Sequence, residues 1–243
     1  MRIIDSAVRF SSDVASHTVD TYRQAMASCS IDHAVIAPGD NCVTVYNEEG
    51  NVQTAEIIKT HPDLFSGLAV ANPWYGPKAV DILKRAFDGG LRGLYLHPLR
   101  QGFRLTEGII DPLIDVCLAY GRAVYSHTGT PIVCEPFQLA ELARRFPDVR
   151  FVMGHGAYPD FWYDVSSAMT QSPNLYIETS CQVGVVLQQV LDTVGADRVL
   201  FGSGFPRSQP GLEIDKIKRL RLNTENLAKV AAENAKRLWG IKR

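Results

Sequence analysis

A chain of 243 residues with 46% hydrophobic content is long enough to bury one sizeable core. Its 25 basic and 26 acidic residues leave a formal net charge of -1, which gives no broad attraction toward nucleic acid or an anionic membrane surface and points to a small-molecule partner. The five cysteines are odd in number and lack CxxC spacing, so they suit reduced packing residues of a cytoplasmic protein rather than a disulfide framework.

The first ten residues, MRIIDSAVRF, place Asp5 and Arg9 where a signal peptide needs an uninterrupted apolar run. Short apolar, β-branched runs then recur along the chain. They predict strands at Arg2 to Ile4, His33 to Ala37, Gly67 to Ala71, Gly93 to Leu96, Ala123 to Ser126, Arg150 to Met153, Leu175 to Ile177 and Val199 to Phe201. None alternates cleanly, as expected of parallel strands covered on both faces. The stretches between them have helical periodicity and punctuation: Pro77 opens a helix that Gly89-Gly90 closes, and Pro136 opens another that ends at Phe146-Pro147. Pro38 to Gly50 is the longest irregular piece, either a mobile loop at a site or a long surface turn. With no low-complexity segment and no Ser/Gly-rich linker, residues 1–243 read as one α/β domain, a single (β/α)8 TIM barrel.

In such barrels, sites form at the C-terminal ends of the strands. Asp5, Ala7 and Arg9 are expected after strand one, His97 after strand four, His127 after five, His155 after six and Glu178 after seven. Three successive strand ends thus carry histidine in a chain that has six, and imidazole suits proton transfer or metal binding. His17, His33 and His61 read as surface or packing residues, and Trp74, Tyr75, Phe161 and Trp162 as core packing or a subunit contact of a homodimer.

The segments IIDSAVRF, GLYLHP, VYSHTG, FVMGHGAYPDF, PNLYIETS, DRVLFGSGFP and ENAKRLWGI, in this order and spacing, resemble the amidohydrolase-related family. That group includes the decarboxylases of aminocarboxymuconate semialdehyde and of hydroxybenzoates and the lactonase-like dicarboxylate hydrolases. The resemblance implies a metal-dependent barrel hydrolase that opens with Asp-x-His-x-His, because residues two apart on a strand face the same way. Ala7 and Arg9 stand at those histidine positions, and Gly204 stands where FGSDYP would put aspartate. His127 matches the strand-five ligand, and His155 matches the histidine that polarises substrate or activates water. One imidazole does not hold a divalent ion, so no metal is expected; a rebuilt zinc or manganese site would have to use His97, His127 and His155, with Glu178.

Arg9 brings a permanent charge and bidentate contacts for a carboxylate, or else pairs with Asp5 or Glu178 in the barrel mouth. Arg207, in the eighth loop, either reaches a substrate carboxylate or is solvated. Two readings follow. In one, a hydrolase or decarboxylase-like enzyme acts on a small carboxylated cyclic compound, lactone or ester without metal; Arg9 binds the anion, His155 is the general base, and His127 and His97 orient the substrate. In the other, an inactive relative binds a small anion or partners an active paralogue.

Overall fold

In the computed structural model, which describes residues 1–10 and 18–242, eight parallel strands run in chain order. They are β1 (Ile4–Arg9), β2 (His33–Ala37), β3 (Phe65–Gly67), β4 (Gly93–Leu96), β5 (Ala123–His127), β6 (Phe151–Gly154), β7 (Leu175–Glu178) and β8 (Val199–Leu200). Regular pairing gives a sheet β1-β2-β3 and a sheet β4-β5-β6-β7-β8. Two seams close them into a TIM barrel. At one, the Ala69 and Tyr95 amides donate to Gly93 and Ala69 carbonyls at 2.7 Å each; at the other, Ser6 donates to Phe201 at 2.9 Å and Arg9 to Phe205 at 3.0 Å.

The apolar runs form strands because both faces are covered. Ile4, Val35, Val70, Tyr95 and Leu200 fill the barrel, while Val8, Ile36, Leu94 and Val124 pack outward against the helices. The helices Pro77–Asp88 and Pro136–Arg145 begin and end at the punctuation read from sequence. No helix among the described residues is long and apolar enough to cross a membrane.

Three expectations need correction. β1 begins and ends later than expected, so Asp5, Ala7 and Arg9 lie within it. Its register with β2 shifts by one residue between Asp5 and Val8, a bulge that turns Ala7 inward but sends Asp5 outward to Tyr22. The regular part of β3 is Phe65–Gly67, and only the bridge at Ala69 continues it toward β4. Pro38 to Gly50 is helical, split between Asp40–Thr44 and the start of Asn47–Thr60. Asn47 acts there as a buried clamp: it donates to the Cys42 and Val43 carbonyls at 2.7 and 3.1 Å and accepts from the Asn72 amide at 2.6 Å. A Cβ on Gly50 would come within 2.4 Å of the Cys42 Cβ, so only glycine lets these helices approach.

None of the five cysteines forms a disulfide, and Cys117 and Cys134 are buried. His33 is a packing residue bonded to the Asp63 carbonyl and Ser66 hydroxyl, and His61 stands edge-on to Phe65. His17 lies outside the described residues. Trp74 and Trp162 are not core: they are 59% and 43% exposed.

The last helix, Asn234–Trp239, closes the bottom of the barrel with Trp239, which is 1% exposed and joins the interior cluster. A Cβ on Gly93 would lie 2.8 Å from the Trp239 ring, so glycine at the start of β4 makes room for this plug. Trp239→Ala should therefore cost roughly 3–5 kcal/mol, the range for a large aromatic removed from a core. Urea unfolding checks this, and a loss below about 1 kcal/mol would show that the barrel bottom collapses around the gap.

Candidate active site

The strand ends bring Arg9, His97, His127 and His155 to one mouth, a cavity of about 690 Å3 whose wall also includes Asp40, Arg100, Tyr158 and Arg207 around Arg9, His97 and His127. His155 lies deeper, beside Ala7, Arg9, Tyr95 and Gly204, around a space of about 10 Å3, room for roughly one water molecule.

His155 starts a left-handed turn, with φ of 60° at His155, 54° at Gly156 and 61° at Ala157. Such backbone persists where surrounding bonds impose it. The His155 amide donates to Glu178 Oε2 at 3.1 Å, Gln182 donates to the Gly156 carbonyl at 2.6 Å, and the Ala157 amide donates to Thr128 Oγ1 at 3.1 Å. The imidazole is oriented in turn. Ser180 Oγ donates its one proton to Glu178 Oε2 at 2.9 Å, so at 2.6 Å it accepts from His155 Nδ1–H. Nε2 is then left with the lone pair.

The His97 and His127 rings stack, with centroids 4.0 Å apart and planes within 13°, and His155 meets His127 edge-on at 5.1 Å. Burial first, then neighbouring charge, depresses all three imidazoles: His97 to about 2, His127 to about 3, and His155 well below the usual 6.5. Arg9 contributes to each of these shifts. All three rings are neutral at neutral pH.

Arg9 pairs with neither Asp5 nor Glu178. Its Nη1 donates to Asp40 Oδ1 at 3.1 Å and to the Tyr95 hydroxyl at 3.2 Å, and Arg100 Nη2 holds the other Asp40 oxygen at 2.7 Å. Tyr95 and Asp40 raise the Arg9 pKa further against the effect of burial. Arg207 is exposed, with its guanidinium over the Tyr158 ring at 5.9 Å.

Asp5 and Glu178, candidates for substrate binding by their place at strand ends, turn their carboxyls to protein donors instead. Asp5 is sealed behind β1, accepting from the Tyr22 hydroxyl at 2.5 Å, the Ser203 amide at 2.8 Å and the Ala7 amide at 3.1 Å. Glu178 accepts from the Tyr125 hydroxyl at 2.7 Å, from the His155 amide, and from both the amide and hydroxyl of Ser180. Both carboxyls are fully buried, and desolvation raises both, Glu178 to about 6.

The donor set does not fit a divalent metal. Among the described residues no group of three or more His, Cys, Asp or Glu is poised to hold one. His97 and His127 lie face to face instead of converging, and the bonds to Glu178 occupy its oxygens, so the rebuilt set His97, His127, His155 and Glu178 is not assembled. Gly204 has φ +67°, and a Cβ there would lie 2.9 Å from the Ser180 Cβ, so an aspartate is disfavoured both by backbone and by space.

Sequence reasoning missed Asp40, Arg100, Tyr95 and Ser180. Tyr95 stands two residues before His97, and Ser180 two after Glu178, the spacing of one strand face, which could have flagged both. Asp40 was hidden in a segment read as irregular.

The sequence profile of the Amidohydrolase family matches residues 11–241. The chain is 29% identical over 150 residues to L-fucono-1,5-lactonase of Burkholderia ambifaria, covering 53% of this chain and 51% of that protein, so it spans about half the length of that relative. In structure it is similar to 5-carboxyvanillate decarboxylase LigW of Sphingomonas paucimobilis, with TM-score 0.80, 17% identity and 99% of both chains covered. It is also similar to dihydroxybenzoic acid decarboxylase of Polaromonas sp. JS666, solved with bound manganese and 2-nitroresorcinol, with TM-score 0.80, 14% identity, and 99% and 97% of the two chains covered. At such identities these structures share the fold.

The depressed imidazoles fix the sign of an acid response. An unfolded chain takes up protons near pH 6.5 that folded His97 and His127 refuse, so stability is full above 6.5 and falls as pH drops below it. Each ring contributes about 1.4 kcal/mol per pH unit. His155 adds in the same direction, while Glu178, raised from 4.5 to about 6, opposes it as pH falls through that window. Urea unfolding at pH 5.5 should give a stability roughly 2–3 kcal/mol below that at pH 7.5. Equal stabilities would mean that these rings are not held neutral.

Proposed function

The chain belongs to the amidohydrolase family, and from that premise we propose that it is a metal-independent hydrolase of a small carboxylated lactone or ester. The observation that carries this reading is the convergence of Arg9, a half-buried fixed cation, and His155, an oriented neutral base, on one space. A guanidinium there binds a substrate carboxylate by charge-assisted hydrogen bonds. Ser180 and Glu178 leave the lone pair of His155 on Nε2, where it can take a proton from attacking water once a bound substrate carboxylate offsets the Arg9 charge that opposes its protonation. His97 and His127 orient the reacting group, and Arg100 and Arg207 add positive charge at the rim. The likeness to a lactonase supports an activated ring ester over an amide, because water without a metal keeps its bulk pKa.

An arginine-lined mouth also serves a binder without turnover, and activity separates the two readings. Carboxylated lactones, screened by following proton release with and without chelator, should be opened at rates that chelation leaves unchanged. His155→Ala should lower kcat at least about 100-fold, the usual contribution of a general base. Arg9→Met should weaken carboxylate binding about 10-fold or more, the worth of one charge-assisted bond. Activity that survives His155→Ala removes His155 from the chemistry. Carboxylate binding without turnover of any lactone identifies the binder.

A further inference from the structure

The stacked pair His97 and His127 has a second unusual feature. Nδ1 of both rings is sealed from solvent and has no hydrogen-bond partner. Nε2 of neither ring is among the sealed unpartnered atoms, no described residue bonds it, and both residues line the mouth. A neutral imidazole carries one proton, on one nitrogen or the other. A buried N–H without an acceptor is the rarest kind of orphan, so the lone pair belongs at Nδ1 and the proton at Nε2.

We propose that His97 and His127 form a two-donor oxyanion site, in which the neutral Nε2–H groups of the two stacked rings hold the carbonyl oxygen of a lactone or ester as it becomes negative. The proposal rests on the hydrolase reading above and assigns the electrophilic part of it. In the step, His155 Nε2 takes a proton from water as the water oxygen bonds to the carbonyl carbon, and the C=O π pair moves onto the oxygen that the two N–H groups hold. The pair then returns, the ring C–O bond breaks, and the leaving alkoxide takes the proton from His155, giving a hydroxy acid from lactone and water. Preorganised donors of this kind act where charge develops, and neutral imidazole is a competent electrophile in a dry site. The tautomer is also the opposite of what a metal would need, since a metal in the mouth requires the lone pair on Nε2.

Long-range 1H–15N NMR of protein labelled at histidine reads the tautomers without ligand or turnover, with His97→Gln and His127→Gln giving the assignments. Both rings should be in the Nε2–H form; an Nδ1–H form at either ring overturns the proposal and leaves the Arg9 reading intact. Binding of inorganic phosphate, a tetrahedral oxyanion, gives a second readout. His97→Leu and His127→Leu should each weaken it roughly tenfold, whereas glutamine, which places an N–H near the Nε2 position, should retain most of it. If the leucine variants bind as wild type does while Arg9→Met does not, the donor pair is wrong and the arginine site stands. If the wild type does not bind phosphate, the donor pair fails, and the arginine reading rests on the lactone assay.

Discussion

Glu178 sits fully buried behind His155, and the way its two oxygens are satisfied determines most of what surrounds it. An uncompensated carboxylate inside a barrel would cost several kcal/mol, so the chain brings donors to it from three strands. Tyr125 comes from β5, the His155 amide from the end of β6, and Ser180 from just beyond β7. One of these bonds holds the left-handed turn at His155, and another commits the Ser180 proton and thereby the imidazole tautomer. The neighbouring strand yields as well. A Cβ on Gly202 would lie 2.1 Å from Glu178 Oε1, so the glycine of FGSG is required by the carboxylate beside it.

The same packing explains why the family's strand-eight aspartate and this site are alternatives. Ser180, drawn in by Glu178, takes the space next to Gly204, whose positive φ already disfavours a side chain. On β1, the bulge keeps Ala7 and Arg9 facing inward while Asp5 is spent on Tyr22 and Ser203. An aspartate at Gly204 would meet both the Ser180 side chain and a backbone that disfavours it.

Most of the barrel was legible because a strand covered on both faces must be apolar along its whole length, and β2 and β4 fall where that signal begins and ends. β1 was misplaced because its continuation, DSAVR, is polar where it meets the mouth, and its bulge is a one-residue shift that no periodicity marks. The three mouth histidines were visible as strand-end residues; what they do was not, since stacking depends on the relative rotation of β4 and β5. Asp40 and Arg100 were missed for a different reason. Each looks like a solvated charge in its own segment, and only the fold places the Asp40 helix against the short helix Pro98–Gln101 after β4. Composition was equally silent: a net charge of -1 conceals a mouth with three arginines and one aspartate.

That local imbalance is what makes neutral imidazoles useful here. Burial is the larger influence on all three rings, but Arg9 acts on each in the same direction, so protonating any of them beside a guanidinium with no bound anion is doubly unfavourable. A divalent metal would also suppress protonation, though only by consuming lone pairs. Arginine achieves it from a distance and leaves the ring nitrogens free: the lone pair of His155 stays available to a proton, and the Nε2 atoms of His97 and His127 stay available to an oxygen. Burial and Arg9 together thus keep the three imidazoles neutral in a mouth where no set of ligands converges on a metal among the described residues.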